Sequence, residues 1–416
     1  MRHVIVGNGP AGVIAAETLR VQRPSDDITL LGDEPVPPYS RMAIPYLLIG
    51  NIGEEGTYLR KSAGHFSDQR IAVRQAQVRR IDTQSRAVAL PDGDALPYDR
   101  LLLAVGSSPA DPPIPGIDLP GVMTCWTLAD AREIAASVQP GVRVLQLGAG
   151  FIGCIIMESI AARKAALTVV EMSDRMLPRM MPPRAAALIK RWCERNGVRV
   201  LTGTRAVEID AARDGLHVRL ESGEVLVVDV VISATGVRPN IGFLAGSGIA
   251  TQSGILVDDR MQTNVADVYA AGDCVEAVEF GTGRRFVNAI QLNAADEARI
   301  AALNMAGQPT RSQGALALNI LDTFGLVSAS FGQWQGVAGG DEVELVDEAA
   351  FKYLRLTFEG DVLVGATSLG VTEHVGVIRG LIQSRAKLGH WKAQLMQDPT
   401  QAVAAYLAAA QPVAVA

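Results

Sequence analysis

The sequence predicts an α/β chain: two Rossmann-like dinucleotide-binding domains and a C-terminal α+β domain. Three observations carry this. Val4-Ile5-Val6 runs into Gly7-Asn8-Gly9-Pro10-Ala11-Gly12 and an apolar helix over Val13–Leu19, and Val142–Leu147 runs into Gly148-Ala149-Gly150-Phe151-Ile152-Gly153 and a second helix. Leu101–Gly106 and Val230–Gly236 echo one another as apolar strands that end in small residues and glycine. From Gln308 on the glycine fingerprints stop and strand-like runs follow.

Each GxGxxG spacing has a physical reason. Gly7 permits the tight turn, Gly9 lets backbone approach a pyrophosphate, and Gly12 lets helix pack on strand. The helix N-terminus then presents unpaired N–H groups and a positive dipole end to the phosphates. One such motif is weak evidence; the copy at Gly148, Gly150 and Gly153 strengthens it. Two dinucleotide sites suggest two dinucleotides, one of them a candidate flavin.

At 416 residues the chain is long enough for two or three full cores. The formal charge of −6 argues against a nucleic-acid partner, which would want a basic face. Cys125, Cys154, Cys193 and Cys274 are scattered, with no CxxC or Cys/His cluster, so neither a zinc site nor a disulfide framework is signalled. His3, His65, His217, His374 and His390 are likewise dispersed, and no metal site is expected. Cys154 and Cys274 read as small buried hydrophobes. Reduced thiols fit the cytoplasm. The first strand begins almost at Met1, so no signal peptide is expected, and no apolar run approaches the roughly 20 residues that span a bilayer.

Ile28–Leu31 reads as the second strand. An acid at its end would take the adenosine ribose hydroxyls; Asp33 is the first choice and Glu34 the second, the alternative being that one merely opens the turn Pro35–Pro38. Arg41 is either a cation at the flavin pyrimidine end, favouring the anionic reduced form, or a surface arginine paired with an acid. Residues 71–90 alternate apolar and polar and suggest short antiparallel strands, with a turn at Pro91-Asp92-Gly93-Asp94. Five prolines and two glycines in Pro109–Gly121 mark a domain boundary.

In the second half, Leu167–Val170 is a strand ending in Glu171. That carboxylate would bond both ribose hydroxyls of NADH and repel the 2′-phosphate of NADPH, a preference that Arg175 could blunt. A helix over Arg184–Asn196 closes at Gly197. Strands run through Val198–Val231. Thr263–Asp273 is an apolar strand entering Gly272-Asp273, followed by an Ala-rich helix, Asn293–Met305. Beyond it, Leu316–Leu321, Glu342–Val346, Tyr353–Phe358 and Val362–Leu369 read as strands. Thr372–Ala386 reads as an amphipathic helix, and two shorter helices split at Asp398-Pro399-Thr400 follow. The tail Gln411–Ala416 is expected to fray.

Val4–Gly12, Leu101–Gly106, Leu147–Gly153 with Glu171, Ala234–Asn240 and Tyr269–Asp273 together resemble the FAD/NAD(P) flavoproteins of the pyridine nucleotide-disulfide oxidoreductase type, whose domains are of the glutathione-reductase kind. The resemblance covers residues 1–306. It implies FAD held by Gly7, Gly9, Pro10, Ala11, Gly12, Asp33 or Glu34, Arg41, Ala104, Gly106, Gly272 and Asp273, the last on the ribityl–phosphate side. It implies NAD(H) on Gly148, Gly150, Phe151, Ile152, Gly153, Glu171 and Gly236. The corresponding domains are 1–115 with 245–308 for FAD, 116–244 for NAD(H), and 309–416 as an interface domain often used for dimerisation.

Two departures matter. Members that reduce disulfides or peroxides carry a redox cysteine near the flavin, at the position of Arg41 or Met42, and no cysteine precedes Cys125 here. Tyr39-Ser40-Arg41 instead resembles the ferredoxin and rubredoxin reductases, although Tyr46 stands where the former carry a lysine. Ile155 occupies the position of a glutamate that many members place near the nicotinamide, and Glu158 matches a later family acid. Residues 151–156 and 380–407 resemble a narrower group, the flavin subunits that couple NAD to large iron–sulfur enzymes such as phenylglyoxylate dehydrogenase and tungsten aldehyde oxidoreductases.

The expected function is therefore an FAD-dependent NADH:acceptor oxidoreductase. It would exchange electrons with an iron–sulfur protein or metalloenzyme subunit, possess no sulfur relay, and run in either direction. The alternatives are a self-contained NADH oxidase or quinone or dye reductase, and an NADH-responsive flavoprotein with mainly an association role.

Overall fold

A computed structural model describes residues 1–91 and 93–410. Asp92 of the expected turn and the tail 411–416 lie outside the described residues. The described chain is an α/β structure that divides into two compact units. One comprises Met1–Ser108 with Val237–Ala315, the other Pro109–Gly236 with the chain from Leu316 on.

The first unit is built on a five-stranded parallel sheet in the order Val268–Ala270, Arg100–Leu103, Arg2–Val6, Asp27–Gly32, Ile71–Gln75. Its central strands are buried on both faces, so they read as unbroken apolar runs: Val4–Val6, Leu30–Leu31 and Leu101–Leu103 are all buried. Each such side chain contributes about 1.5–3 kcal/mol on leaving water. The helix Pro10–Gln22 packs beside the helix Gln291–Met305 through alanines on both: Ala11, Ala15 and Ala16, and Ala294, Ala298, Ala301 and Ala302, all buried.

One expectation is corrected here. Ile71–Gln75 is not part of an antiparallel hairpin but the parallel edge strand, with Leu30 opposite Val73. Period-two alternation reports a half-exposed strand and is silent on its direction. The remaining strands of that stretch, Arg80–Asp82, Ala87–Ala89 and Ala95–Pro97, do form an antiparallel sheet.

The second unit repeats the plan. Its parallel sheet runs Arg199–Thr202, Ala166–Glu171, Arg143–Leu147, Val230–Ser233, Val122–Thr124. A three-stranded antiparallel sheet, Ala206–Ala212, Gly215–Leu220 and Val225–Val228, packs against it through Ile209, Leu216 and Val218. The same unit holds a five-stranded antiparallel sheet in the order Leu318–Thr323, Leu326–Gly332, Val362–Leu369, Lys352–Glu359, Asp341–Asp347. Leu326–Gly332 was not legible as a strand. Helix Val375–Ser384 buries Ile378, Leu381 and Ile382, and helices His390–Gln397 and Ala402–Ala410 follow. The hairpin tip Thr323-Phe324 is pinned from the dinucleotide-type half. Trp192 Nε1 donates to the carbonyls of Thr323 at 3.1 Å and Phe324 at 3.2 Å, and Glu158 Oε2 accepts from the Phe324 N–H at 3.1 Å.

Candidate dinucleotide-binding sites

In the first unit the strand Arg2–Val6 ends at Gly7, whose N–H donates to the Leu31 carbonyl at 2.8 Å. Gly7 has φ +107°, and a Cβ there would lie 2.0 Å from the Ala104 carbonyl oxygen. A Cβ on Gly12 would lie 1.8 Å from the Gly7 oxygen. Both glycines are thus demanded by the chain itself. Gly9 is different: it has φ −71° and ψ −172°, open to any residue, and a Cβ on it would meet nothing within 4 Å. No atom of the described residues requires its bareness, whereas a closely approaching pyrophosphate would. Gly9 is also the N-cap of the helix that starts with Pro10 and Ala11, and no side chain caps that end. Its donors are left for an anion. The fit to a dinucleotide rests on this bare, uncapped cradle.

Around this turn the other expected residues gather within the same unit. Ala104 donates its N–H to the Val6 carbonyl at 2.7 Å, and Gly106 has φ +62° with open space where a Cβ would sit. Gly272 has φ +87°, packs against Ala11, and donates its N–H to Glu297 Oε2 at 2.8 Å. Asp273 accepts from Ser107 Oγ at 3.3 Å; burial raises its pKa, and the bond from Ser107 and the nearby charge of Arg41 pull against that. A buried carboxyl of this kind, bonded by one hydroxyl, can take a second hydroxyl from a polyol chain.

The acids after the second strand are placed unequally. Strand register sets Gly32, not Asp33, level with Glu171 of the other half, because Val6 pairs with Leu31 as Leu147 pairs with Val170. The Asn8 side chain lies where a Cβ on Gly32 would go, within 2.2 Å. Asp33 is exposed one residue further on. Glu34 accepts from Arg41 Nη2 at 2.8 Å and from the Tyr39 hydroxyl at 2.8 Å, and Arg41 Nη1 donates to that hydroxyl at 3.1 Å.

The second unit repeats the geometry. Gly148 has φ +99°, its N–H donates to the Val170 carbonyl at 2.7 Å, and a Cβ would lie 2.4 Å from the Ala234 oxygen. A Cβ on Gly153 would lie at the same 2.4 Å from the Gly148 oxygen, while one on Gly150 would meet nothing within 4 Å. Phe151 and Ile152 open the helix Phe151–Ala162, again with no side-chain cap. Glu171 is buried; Oε2 accepts from the Ala149 N–H and Oε1 from the Ser173 N–H, each at 2.8 Å. Gly236 has φ +118°, and its carbonyl accepts from the Ala110 N–H at 2.9 Å. Arg175 is occupied: it bonds both oxygens of Asp174 at 2.8 and 3.1 Å, the Met181 carbonyl at 3.2 Å and the Pro178 carbonyl at 3.5 Å.

All four cysteines are free and buried. Burial pushes the thiols of Cys125, Cys193 and Cys274 up to about 12, and that of Cys154 well above its ordinary value. None is a thiolate nucleophile near neutral pH.

Sequence reasoning missed Ser107, Glu297 and Gln146. Glu297 could have been found as an acid on the buried face of an alanine-rich helix, where a polar residue needs a partner. Ser107 gives no such signal, since its partner Asp273 is 166 residues away, and Gln146 gives none because its place in an apolar strand does not tell which way its amide turns.

The pyridine nucleotide-disulphide oxidoreductase family model matches residues 1–295. The chain is 33% identical over 402 residues to the NADH-dependent phenylglyoxylate dehydrogenase subunit epsilon of Aromatoleum evansii, covering 96% of this chain and 95% of the other. It is 31% identical over 316 residues to an NADH oxidase of Methanocaldococcus jannaschii, covering 74% of this chain and 70% of that protein. Among solved structures it is similar to a ferredoxin reductase from Rhodopseudomonas palustris, with a TM-score of 0.82, 28% identity, and 89% and 91% of the two chains covered.

Proposed function

This chain belongs to the pyridine nucleotide-disulphide oxidoreductase family and is an NAD(H)-dependent flavoprotein oxidoreductase, and from that premise we propose that it passes electrons between NAD(H) and an external iron–sulfur protein or metalloenzyme subunit of a larger complex. The single observation that carries the proposal is the state of the cysteines. All four are buried with raised thiol pKa values, so no sulfur relay can mediate disulfide or peroxide chemistry. Electrons must then leave by the cofactor's own edge.

In this reading residues 1–115 and 245–308 hold FAD, 116–244 hold NAD(H), and 309–416 form an interface domain suited to a homodimer or a partner subunit. FAD supplies two-electron acceptance from a nicotinamide and one-electron release. The Gly9 and Gly150 turns, with the uncapped helix ends behind them, bind the two pyrophosphates. Asp273 bonds the ribityl side, Asp33 or Glu34 the adenosine ribose, and Arg41 biases the flavin potential. Ala104, Gly106 and Gly272 let backbone approach the flavin. Glu171 holds the NADH ribose and disfavours a 2′-phosphate, while Arg175 is engaged by Asp174. Reduced, buried thiols fit the cytoplasm.

The proposed partner is an aldehyde- or 2-oxoacid-oxidising complex; what supports it is the likeness, along nearly the whole chain, to a phenylglyoxylate dehydrogenase subunit. Copurification from the native source tests this. A partner carrying iron and labile sulfide supports it. A lone protein that consumes NADH under air as fast as with carriers present overturns it in favour of a self-contained NADH oxidase, the activity named for the second relative.

A further inference from the structure

The two fingerprints differ beneath the turn. Register equates Val6 with Leu147, hence Ile5 with Gln146, and both are 0% exposed. Under the first turn the space is filled by aliphatic carbon, with Leu30 Cδ1 3.2 Å from where a Cβ on Gly12 would sit. Under the second turn stands an amide. Gln146 Nε2 donates to the Gly148 carbonyl at 2.8 Å and to the Gly153 carbonyl at 2.9 Å. Those are the first and last glycines of the motif. Gln146 Oε1 is buried with no hydrogen-bond partner among the described residues, a desolvation cost that an aliphatic side chain would not incur.

We propose that Gln146 is a positioning residue for the NAD(H) site. Its amide ties both ends of the 148–153 turn, so the Gly150 N–H and the helix N-terminus keep their spacing when the site is empty. The need for this follows from turnover. FAD stays in place, and its phosphates can organise the first turn permanently. NAD(H) must leave and return in every cycle, so a turn held by the protein itself avoids an ordering cost at each binding event. The unpaired Oε1 is the stability given up for that preorganisation.

This inference rests on NAD(H) occupying the second fingerprint, and the experiment separates the two. In the FAD-loaded full-length protein, Q146M keeps the volume and removes the donor. NAD⁺ affinity measured by calorimetry should weaken about tenfold, as expected for loss of one or two neutral hydrogen bonds. Amide exchange over Gly150–Cys154 should accelerate. FAD content and Tm should hold or Tm should rise, and KM for NADH should increase with kcat within about twofold. A purely structural role would instead lower Tm, FAD content and kcat together, and that result overturns the proposal. So does wild-type NAD⁺ affinity in Q146M. Q146I, which installs the first half's own solution, serves as the second variant should Q146M not fold. The control is G150V. If it binds NAD⁺ normally, the site assignment fails and takes the positioning role with it. If it loses NAD⁺ while Q146M does not, only the positioning role fails.

Discussion

Glu34 Oε1 and Arg41 Nη2 form an ion pair at 2.8 Å, and the Tyr39 hydroxyl bridges the two side chains. The cation proposed to bias the flavin is therefore already partly compensated by an acid seven residues away. E34Q should release that compensation. A half-exposed pair of this kind is worth up to about 1 kcal/mol, or about 20 mV for a two-electron couple. The midpoint potential should rise by about that amount in E34Q and fall in R41Q, measured by redox titration of the holoprotein. Two unchanged potentials would remove Arg41 from the site.

The glycines of the first fingerprint should separate into two kinds. Gly12→Ala drives a Cβ into the Gly7 carbonyl and should cost at least ~3 kcal/mol, the upper end of overpacking effects. The Cβ of Gly9→Val meets no described protein atom within 4 Å, so the variant should leave the apoprotein within about 0.5 kcal/mol of wild type, yet yield colourless material. Denaturant melts paired with flavin absorbance check this; a yellow, fully loaded G9V protein contradicts it.

Nucleotide choice should reside in Glu171 before Arg175. Glu171 is buried between the N–H groups of Ala149 and Ser173, and Arg175 is held by Asp174 and two carbonyls. E171Q should lower the NADH:NADPH ratio of kcat/KM by about tenfold, equivalent to about 1.4 kcal/mol. Adding D174A should lower it again by freeing the guanidinium. Steady-state kinetics with both nucleotides decide, and a ratio unmoved by E171Q would be evidence against the ribose role.

Glu297 should make apoprotein stability fall as pH rises. Burial pushes its pKa from 4.5 up to about 8, against the lowering effect of the Gly272 N–H. A carboxyl raised in the folded state contributes stability that is fully present below its unfolded pKa and is lost as pH climbs to the folded value. Between about pH 5 and 8 the folded state holds one proton more than the unfolded chain, a slope of about −1.4 kcal/mol per pH unit. E297Q keeps the acceptor for Gly272 and should flatten that slope. Thermal melts from pH 5 to 8 measure it, and parallel profiles for the two proteins would refute it.

The glycine turns, the central strands and the C-terminal helices were legible because each follows from neighbours within a dozen residues. Doubly buried parallel strands must be apolar throughout, and a tight turn into a helix must carry glycine at fixed positions. Leu326–Gly332 escaped because its inward side chains include Ser328 and Ser330, each 1% exposed. Small hydroxyl residues lack the β-branched signature, and only the flanking strands Leu318–Thr323 and Val362–Leu369 make that run a strand.

What the sequence determined by itself was the repeated strand–turn–helix chemistry and the lack of any cysteine before Cys125, since both are properties of consecutive residues. What only the tertiary structure decided was which glycines serve the chain and which leave room for a ligand, which acid Arg41 meets, and that Gln146 lies beneath one turn and an isoleucine beneath the other. Those facts depend on where the folded backbone aims each side chain, and a local pattern encodes the order of residues but not the distances between their atoms.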